Sequence, residues 1–310
     1  MLFSGIMHGM QHSLPTPLRL AETWSGAGRS TYLKLECELP TGLFKVRGAI
    51  YALTRRLEIS DVPEVVAAST GNHGAAVAYA AQLAALPATI FVPRRSNPVK
   101  LERIAKLGAA LHETGDLLAE AIDAAARYAK DRGAYFLHDA TDPDVPIGAG
   151  SIAREILEQL SHVDCIYVPM GDTALVRGVA AEAKRLIPAV RIVGVQAENA
   201  PAYYKSWKTG AVVVTDTANT MADGLATTRP IAANVALVRE LVDDVVLVSE
   251  DELLEAIGVL LLREHVVAEP AGAAATAAFM KQSPASGSTV LLVTGGNIAP
   301  AVLKLAIARL

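Results

Sequence analysis

Four short segments combine residue types that could do chemistry. The first is Thr41-Gly42-Leu43-Phe44-Lys45-Val46-Arg47-Gly48-Ala49, a lysine set among apolar neighbours. Desolvation would lower the pKa of such an amine and let it attack a carbonyl. A lysine snorkelling from a partly buried helix start has the same pattern. The second is Ser69-Thr70-Gly71-Asn72-His73-Gly74, which offers hydroxyls, an amide and backbone N–H groups just before a helix. It suits a carboxylate, aided by the helix dipole, but would equally serve as an ordinary N-cap. His73 alone is a weak candidate for a ligand or base. The third, Pro169-Met170-Gly171-Asp172-Thr173-Ala174-Leu175, has the strand–small residue–helix order of a phosphate cradle. The fourth is Thr294-Gly295-Gly296-Asn297, directly after an apolar run. No one of the four decides the chemistry.

The elements that must position these segments alternate between strand and helix. Strands are expected at Thr31–Glu36, Glu64–Ala68, Ala88–Val92, Asp164–Val168, Arg191–Gln196, Val245–Val248 and Val290–Thr294. Helices are expected through Ala49 and Arg56, and over Ala75–Leu83, Pro98–Leu107, Leu117–Arg132, Leu175–Leu186, Glu250–Glu264, Ala271–Lys281 and Ala299–Leu310. Pro98 suits a first-turn position, and Ser249 with Glu252 forms a capping box. This rhythm implies an α/β fold of two parallel-type sheets with helices on both faces. Open sheets of this kind bind ligands beyond the carboxyl ends of their strands, where all four segments lie. The organisation expected is a large domain of residues 1–62 and 142–310 and a small mobile domain of residues 63–141.

Composition excludes several classes. The 310 residues are 52% hydrophobic and 19% charged, which is globular rather than disordered. A net charge of -4 and the lack of a basic, aromatic-interleaved cluster argue against a nucleic-acid partner. Cys37 and Cys165 form no CxxC pair, so a disulfide framework or cysteine zinc site is disfavoured and a cytoplasmic setting is expected. Met1–Gln11 lacks a basic n-region and reads as no signal peptide. Val65–Pro93 is long and free of Lys, Arg, Asp and Glu, but its polar turn and Leu86-Pro87 favour strand, turn and helix over a membrane span. Gly148-Ala149-Gly150-Ser151-Ile152-Ala153 matches a dinucleotide fingerprint in the wrong context, since no strand precedes it. It reads as a glycine-rich helix start.

Together and in this order, the four segments resemble pyridoxal 5′-phosphate (PLP) enzymes of the tryptophan-synthase-β-like fold, in the serine/threonine dehydratase and serine racemase branch. The resemblance runs from about Pro15 to the C-terminus. Met221-Ala222-Asp223-Gly224-Leu225 and Glu269-Pro270-Ala271-Gly272-Ala273 are similar to two further signatures of the branch. It implies that Lys45 forms a Schiff base with PLP, and that Phe44 and Gly224 sandwich the ring. Asn72 would bond the phenolic oxygen, and Gly171, Asp172, Thr173, Ala174 and Leu175 would receive the phosphate. Thr294 would face the pyridine nitrogen, a neutral partner that moderates the electron sink. Ser69, Thr70, Asn72 and His73 would grip the substrate carboxylate.

The activity implied is a dehydratase, or ammonia-lyase, acting on a small β-hydroxy amino acid such as serine, threonine or a 3-hydroxy acidic relative. Lys45 would remove the Cα proton, and an aminoacrylate would hydrolyse to a 2-oxo acid and ammonia. β-Replacement, threonine-synthase-like chemistry, racemisation, or PLP binding without turnover are the alternatives. The resemblance also implies a homodimer, and the sequence carries no sign of an appended regulatory domain. Several departures stand out. Leu43 replaces a usual serine, and Asp172, Thr173 and Ala174 replace usual glycines. Thr70 replaces the serine base of racemases. Gln196 and Ala202 occupy the positions of two carboxylate metal ligands, so no metal is expected there.

Overall fold

The computed structural model describes residues 15–282 and 284–309; the reading of Met1–Gln11 lies outside them. Strands follow in chain order as β1 (Leu18–Leu20), β2 (Arg29–Leu35), β3 (Val65–Ala68), β4 (Ala88–Val92), β5 (Ala110–Glu113), β6 (Tyr135–Phe136), β7 (Cys165–Pro169), β8 (Arg191–Ala197), β9 (Asp244–Val248) and β10 (Gly287–Val293). The helices are α1 (Lys45–Ile59), α2 (Asn72–Leu83), α3 (Pro98–Lys106), α4 (Leu118–Arg132), α5 (Asp144–Gln159), α6 (Ala174–Leu186), α7 (Ala202–Thr209), α8 (Ala232–Leu241), α9 (Glu250–Arg263), α10 (Pro270–Gln282) and α11 (Pro300–Ile307).

The chain divides into two compact units, one containing Lys45–Ala149 and the other Thr16–Phe44 with Gly150–Leu310. The first therefore takes in more than residues 63–141. Helix α1 packs on α2. Gly48 lies so close to Val145 that a Cβ there would stand 2.8 Å from the valine side chain. These contacts bring α1 and the start of α5 into the smaller unit.

The smaller unit is built on a parallel sheet of order β5-β4-β3-β6. β3 and, apart from Thr89, β4 are apolar runs with nearly every residue buried, as strands covered on both faces must be. Val66 and Phe91 pack on Ala121, Ala125 and Ala129 of α4. That helix starts where the Glu120 carboxylate accepts the Leu117 N–H at 3.0 Å. Asn97 caps α3 by accepting the Val99 N–H at 3.0 Å, with Pro98 in the first turn. The apolar span Val65–Pro93 is thus β3, α2 and β4, and among the described residues no helix is long and apolar enough to cross a membrane.

The larger unit carries a six-stranded sheet of order β1-β2-β10-β7-β8-β9. β1 runs antiparallel to β2, and the other neighbours are parallel. The register pairs Leu35 with Val293 and Leu291 with Tyr167, so β2, β10 and β7 deliver their following loops to one edge. The capping box of α9 is present, with Ser249 and Glu252 exchanging hydrogen bonds of 2.8 and 3.2 Å. Both cysteines are free thiols.

Gly148 and Gly150 both lie inside α5 and serve helix packing. A Cβ on Gly148 would stand 2.5 Å from the Arg47 carbonyl oxygen of α1. Alanine normally gains about 1 kcal/mol over glycine inside a helix. Here the backbone clash should override that gain, and Gly148→Ala should lower stability by about 1–3 kcal/mol in urea unfolding.

Candidate active site

The smaller unit holds the lysine. Lys45 opens α1, and its Nζ donates to Asp139 Oδ2 at 2.8 Å. The side chains of this pair are 17% and 23% exposed, so solvent screens the attraction only partly. Asp139 lies in the loop after β6. His73, in the first turn of α2, is buried, and its Nε2 lies 3.0 Å from the Leu137 carbonyl oxygen. That contact requires the proton on Nε2 and leaves Nδ1 as a lone pair, 3.9 Å from Asp139 Oδ2. Burial pushes the His73 pKa down from 6.5, while the nearby Asp139 carboxylate opposes the shift. Burial thus favours the neutral ring, and its side chain ties α2 to the loop carrying Asp139.

The Ser69–Gly74 segment runs from the end of β3 into α2, as its sequence requires. The Gly71 N–H donates to Ser69 Oγ at 3.0 Å, which folds the turn onto itself. Ser69 is buried, Thr70 exposed and Asn72 half-buried at the helix start. A Cβ on Gly74 would meet Ile90 and Ile104 at 2.9 Å, so the missing side chain lets α2 settle on β4.

The larger unit assembles the other segments at the carboxyl edge of its sheet. The lysine loop is stitched to the loop after β10. Phe44 N–H donates to Thr294 O at 3.1 Å, and Gly296 N–H to Gly42 O at 3.0 Å. Asn297 Nδ2 donates to Thr41 O at 3.1 Å. Leu43 is buried where a Cβ on Gly295 would meet its Cδ2 at 2.5 Å. Thr294 is also buried, and its hydroxyl reaches Ala271 O at 3.4 Å.

Beside them, Gly171 faces Gly224 so closely that a Cβ would sit 2.1 Å from the Gly224 carbonyl oxygen. A Cβ on Gly272 would sit 2.2 Å from Gly295 O. Thr173 is buried with φ 79°, the left-handed conformation that β-branched residues avoid at a cost of about 1–2 kcal/mol. The Arg177 Nε donates to its hydroxyl at 3.2 Å. Asp172 Oδ1 accepts the Ala174 N–H at 3.3 Å, capping α6. Asp172 also faces Arg177, whose pKa is lowered by burial and partly restored by that carboxylate. The acid in this loop is balanced by a guanidinium rather than left beside an anion.

In each unit the expected residues sit where their segments meet. Ser69, Thr70, Asn72 and His73 lie in one turn of the smaller unit, which also holds Lys45 at the start of α1; Phe44, Gly171, Asp172, Thr173, Ala174, Leu175, Gly224 and Thr294 belong to the other. Asp139 and Arg177 were missed. The rule that ligands gather after strand ends would have found Asp139, but β6 has two residues and no strand signal. Arg177 has no motif of its own and becomes visible only through Thr173, one helical turn earlier.

Residues 10–295 match the model of the family described as pyridoxal-phosphate dependent enzyme. The chain belongs to this family. It is 39% identical to the L-threonine ammonia-lyase of Thermotoga maritima over 272 residues, covering 87% of this chain and 68% of that protein. It is 35% identical to the catabolic L-threonine dehydratase of Escherichia coli K12 over 271 residues, 86% and 82% of the two chains. Its fold matches maize serine racemase with a TM-score of 0.88 and 28% identity, over 99% of this chain and 96% of that one. PLP is the family's cofactor, and the residues here fit it. In the smaller unit Lys45 offers a primary amine; in the larger one the Gly171–Thr173 loop leads straight into the N-terminus of α6, whose first backbone N–H groups suit a phosphate.

Two outcomes follow. Gly171→Ala must push the Gly171 and Gly224 loops apart, so PLP affinity should fall at least about tenfold, roughly 1.4 kcal/mol. An absorbance titration measures this, with circular dichroism checking the fold. His73 makes stability depend on pH. Its folded pKa lies below the unfolded value of 6.5, so its contribution is complete above that pH and is lost below it, as the unfolded chain takes the proton first. Between pH 7.5 and 5.5, urea midpoints should drop further for the parent than for His73→Asn.

Proposed function

We propose that this protein is a PLP-dependent dehydratase that converts a small β-hydroxy amino acid (serine, threonine or a 3-hydroxy acidic relative) to a 2-oxo acid and ammonia. The observation that carries this reading is the paired amine of Lys45 at the head of α1, in a chain 39% identical to an L-threonine ammonia-lyase. Bound there, PLP supplies a carbonyl for an amine and a ring that withdraws electrons. The chain supplies the rest. Lys45 holds the cofactor and, once displaced by the substrate amine, takes the Cα proton. The turn Ser69, Thr70, Asn72 and His73 presents hydroxyls, an amide and helix N–H groups to the substrate carboxylate, with His73 contributing through its backbone. Asn72, Phe44, Gly224 and Thr294 orient the ring. Gly171, Asp172, Thr173, Ala174 and Leu175 receive the phosphate at the α6 N-terminus.

Racemisation is the second reading, favoured by the fold match to maize serine racemase. Against it stands Thr70, whose methyl hinders a base on the opposite face. At the family's metal position, the buried Gln196 amide accepts the Tyr204 N–H at 2.8 Å and Ala202 is apolar, a donor set that does not suit a divalent cation. A homodimer working in the cytoplasm, without nucleic-acid or membrane partners, completes the reading. It is supported by the family resemblance, the free thiols and the net charge of -4.

Borohydride reduction of the yellow holoenzyme should place the pyridoxyl group on Lys45. Serine, threonine and 3-hydroxyaspartate, assayed in turn, should yield 2-oxo acid and ammonia from at least one, unchanged by chelator. Inverted amino acid without ammonia would favour the racemase. No product and no spectral response to any amino acid would identify a binding protein without turnover.

A further inference from the structure

The loop after β6 adds a group that none of the four segments contains. Asp139 Oδ2 lies 2.8 Å from Lys45 Nζ, and both side chains belong to the smaller unit. Among the described residues, three titratable groups face this carboxylate: Lys45 from α1, His73 from α2 and His138 from its own loop. The two histidines present lone pairs rather than protons. His73 spends its N–H on Leu137 O, and His138 Nδ1 accepts the Ala140 N–H at 3.1 Å. Of these three neighbours, Lys45 is the one within hydrogen-bond distance of the carboxylate, the histidine nitrogens standing 3.9 and 3.8 Å away.

We propose that Asp139 is a positioning residue for Lys45: it seats the lysine as an ammonium each time its nitrogen is off the cofactor. This rests on the PLP reading above. The lysine nitrogen must be a free amine to capture PLP, and it becomes an ammonium when it takes the Cα proton. A carboxylate at 2.8 Å favours the ammonium in both situations. It therefore slows capture at neutral pH. In turnover it receives the proton-bearing Lys45 in a fixed place, so that the proton taken from Cα stays on Nζ, ready for the departing hydroxyl. His73, neutral and anchored at Leu137, fixes the loop without competing for the proton.

The test follows the rate at which apoprotein captures PLP on Lys45, trapped with borohydride and read by peptide mass across pH 6 to 10. In Asp139→Asn the pH of half-maximal capture should fall by about one unit, making capture about tenfold faster on the acidic limb. Asp139→Glu should keep the parent profile. With the best amino acid substrate, the Asp139→Asn enzyme should lose at least about tenfold in kcat with KM changed less than about threefold, and the Asp139→Glu enzyme should recover part of the loss. If Asp139→Asn does not fold, Asp139→Ser serves the same comparison. Superimposable capture profiles for parent and neutral variants would overturn the assignment while leaving the PLP reading intact. A parent that captures no PLP at any pH would overturn both.

Discussion

The loops at the carboxyl edge of the larger unit's sheet depend on backbones approaching closer than any side chain permits. Gly171 lies against the carbonyl of Gly224, and Gly272 against that of Gly295. Parallel pairing of β2, β10 and β7 sends three loops to one side of the sheet, but pairing alone leaves them separate. The glycines close them into one surface, which then carries the lysine loop through Phe44, Gly42 and Asn297. Position in the sheet decides where these segments lie; absence of a Cβ decides whether they meet.

The departures from the family pattern read differently once their contacts are known. Leu43, unusual beside the lysine proposed to carry the cofactor, fills the space under Gly295. Thr173 adopts a left-handed conformation where glycine would be free of strain, and its hydroxyl accepts from Arg177, which also balances Asp172. These residues form a set: the strain of Thr173 and the charge of Asp172 are both met by one guanidinium on the first turn of α6. A change to any one of the three should be felt by the other two, because they share contacts.

Much of this arrangement was legible in the sequence because long apolar runs and glycine-bearing motifs carry strong local signals. β4 was read at its true bounds, and α2 was found because alanine repeats favour a buried helix. What escaped had weak local signals. β5 contains His112 and Glu113, β6 is two aromatic residues, and β1 is three residues paired antiparallel on β2. Each is specified by its neighbour's unpaired backbone rather than by its own side chains. Helices α7 and α8 were missed for a related reason, being short and mixed in polarity. The unit boundary differed from the reading because α1 packs by a glycine contact to α5, which no local pattern reveals.

The residue with the greatest consequence for the chemistry was also the least visible. Asp139 stands in a segment rich in Asp and Pro, which composition reads as a connector. Yet a connector has no reason to hold its acid beside a half-buried amine, while His73 and His138 turn their hydrogen bonds to the backbone of Leu137 and Ala140. An elimination needs a base that is strong when empty and stable when loaded. A lone amine in an apolar setting meets the first demand poorly, because desolvation weakens it as a base. A carboxylate at hydrogen-bond distance meets both, since it stabilises the loaded form without occupying the nitrogen's lone pair in the empty one.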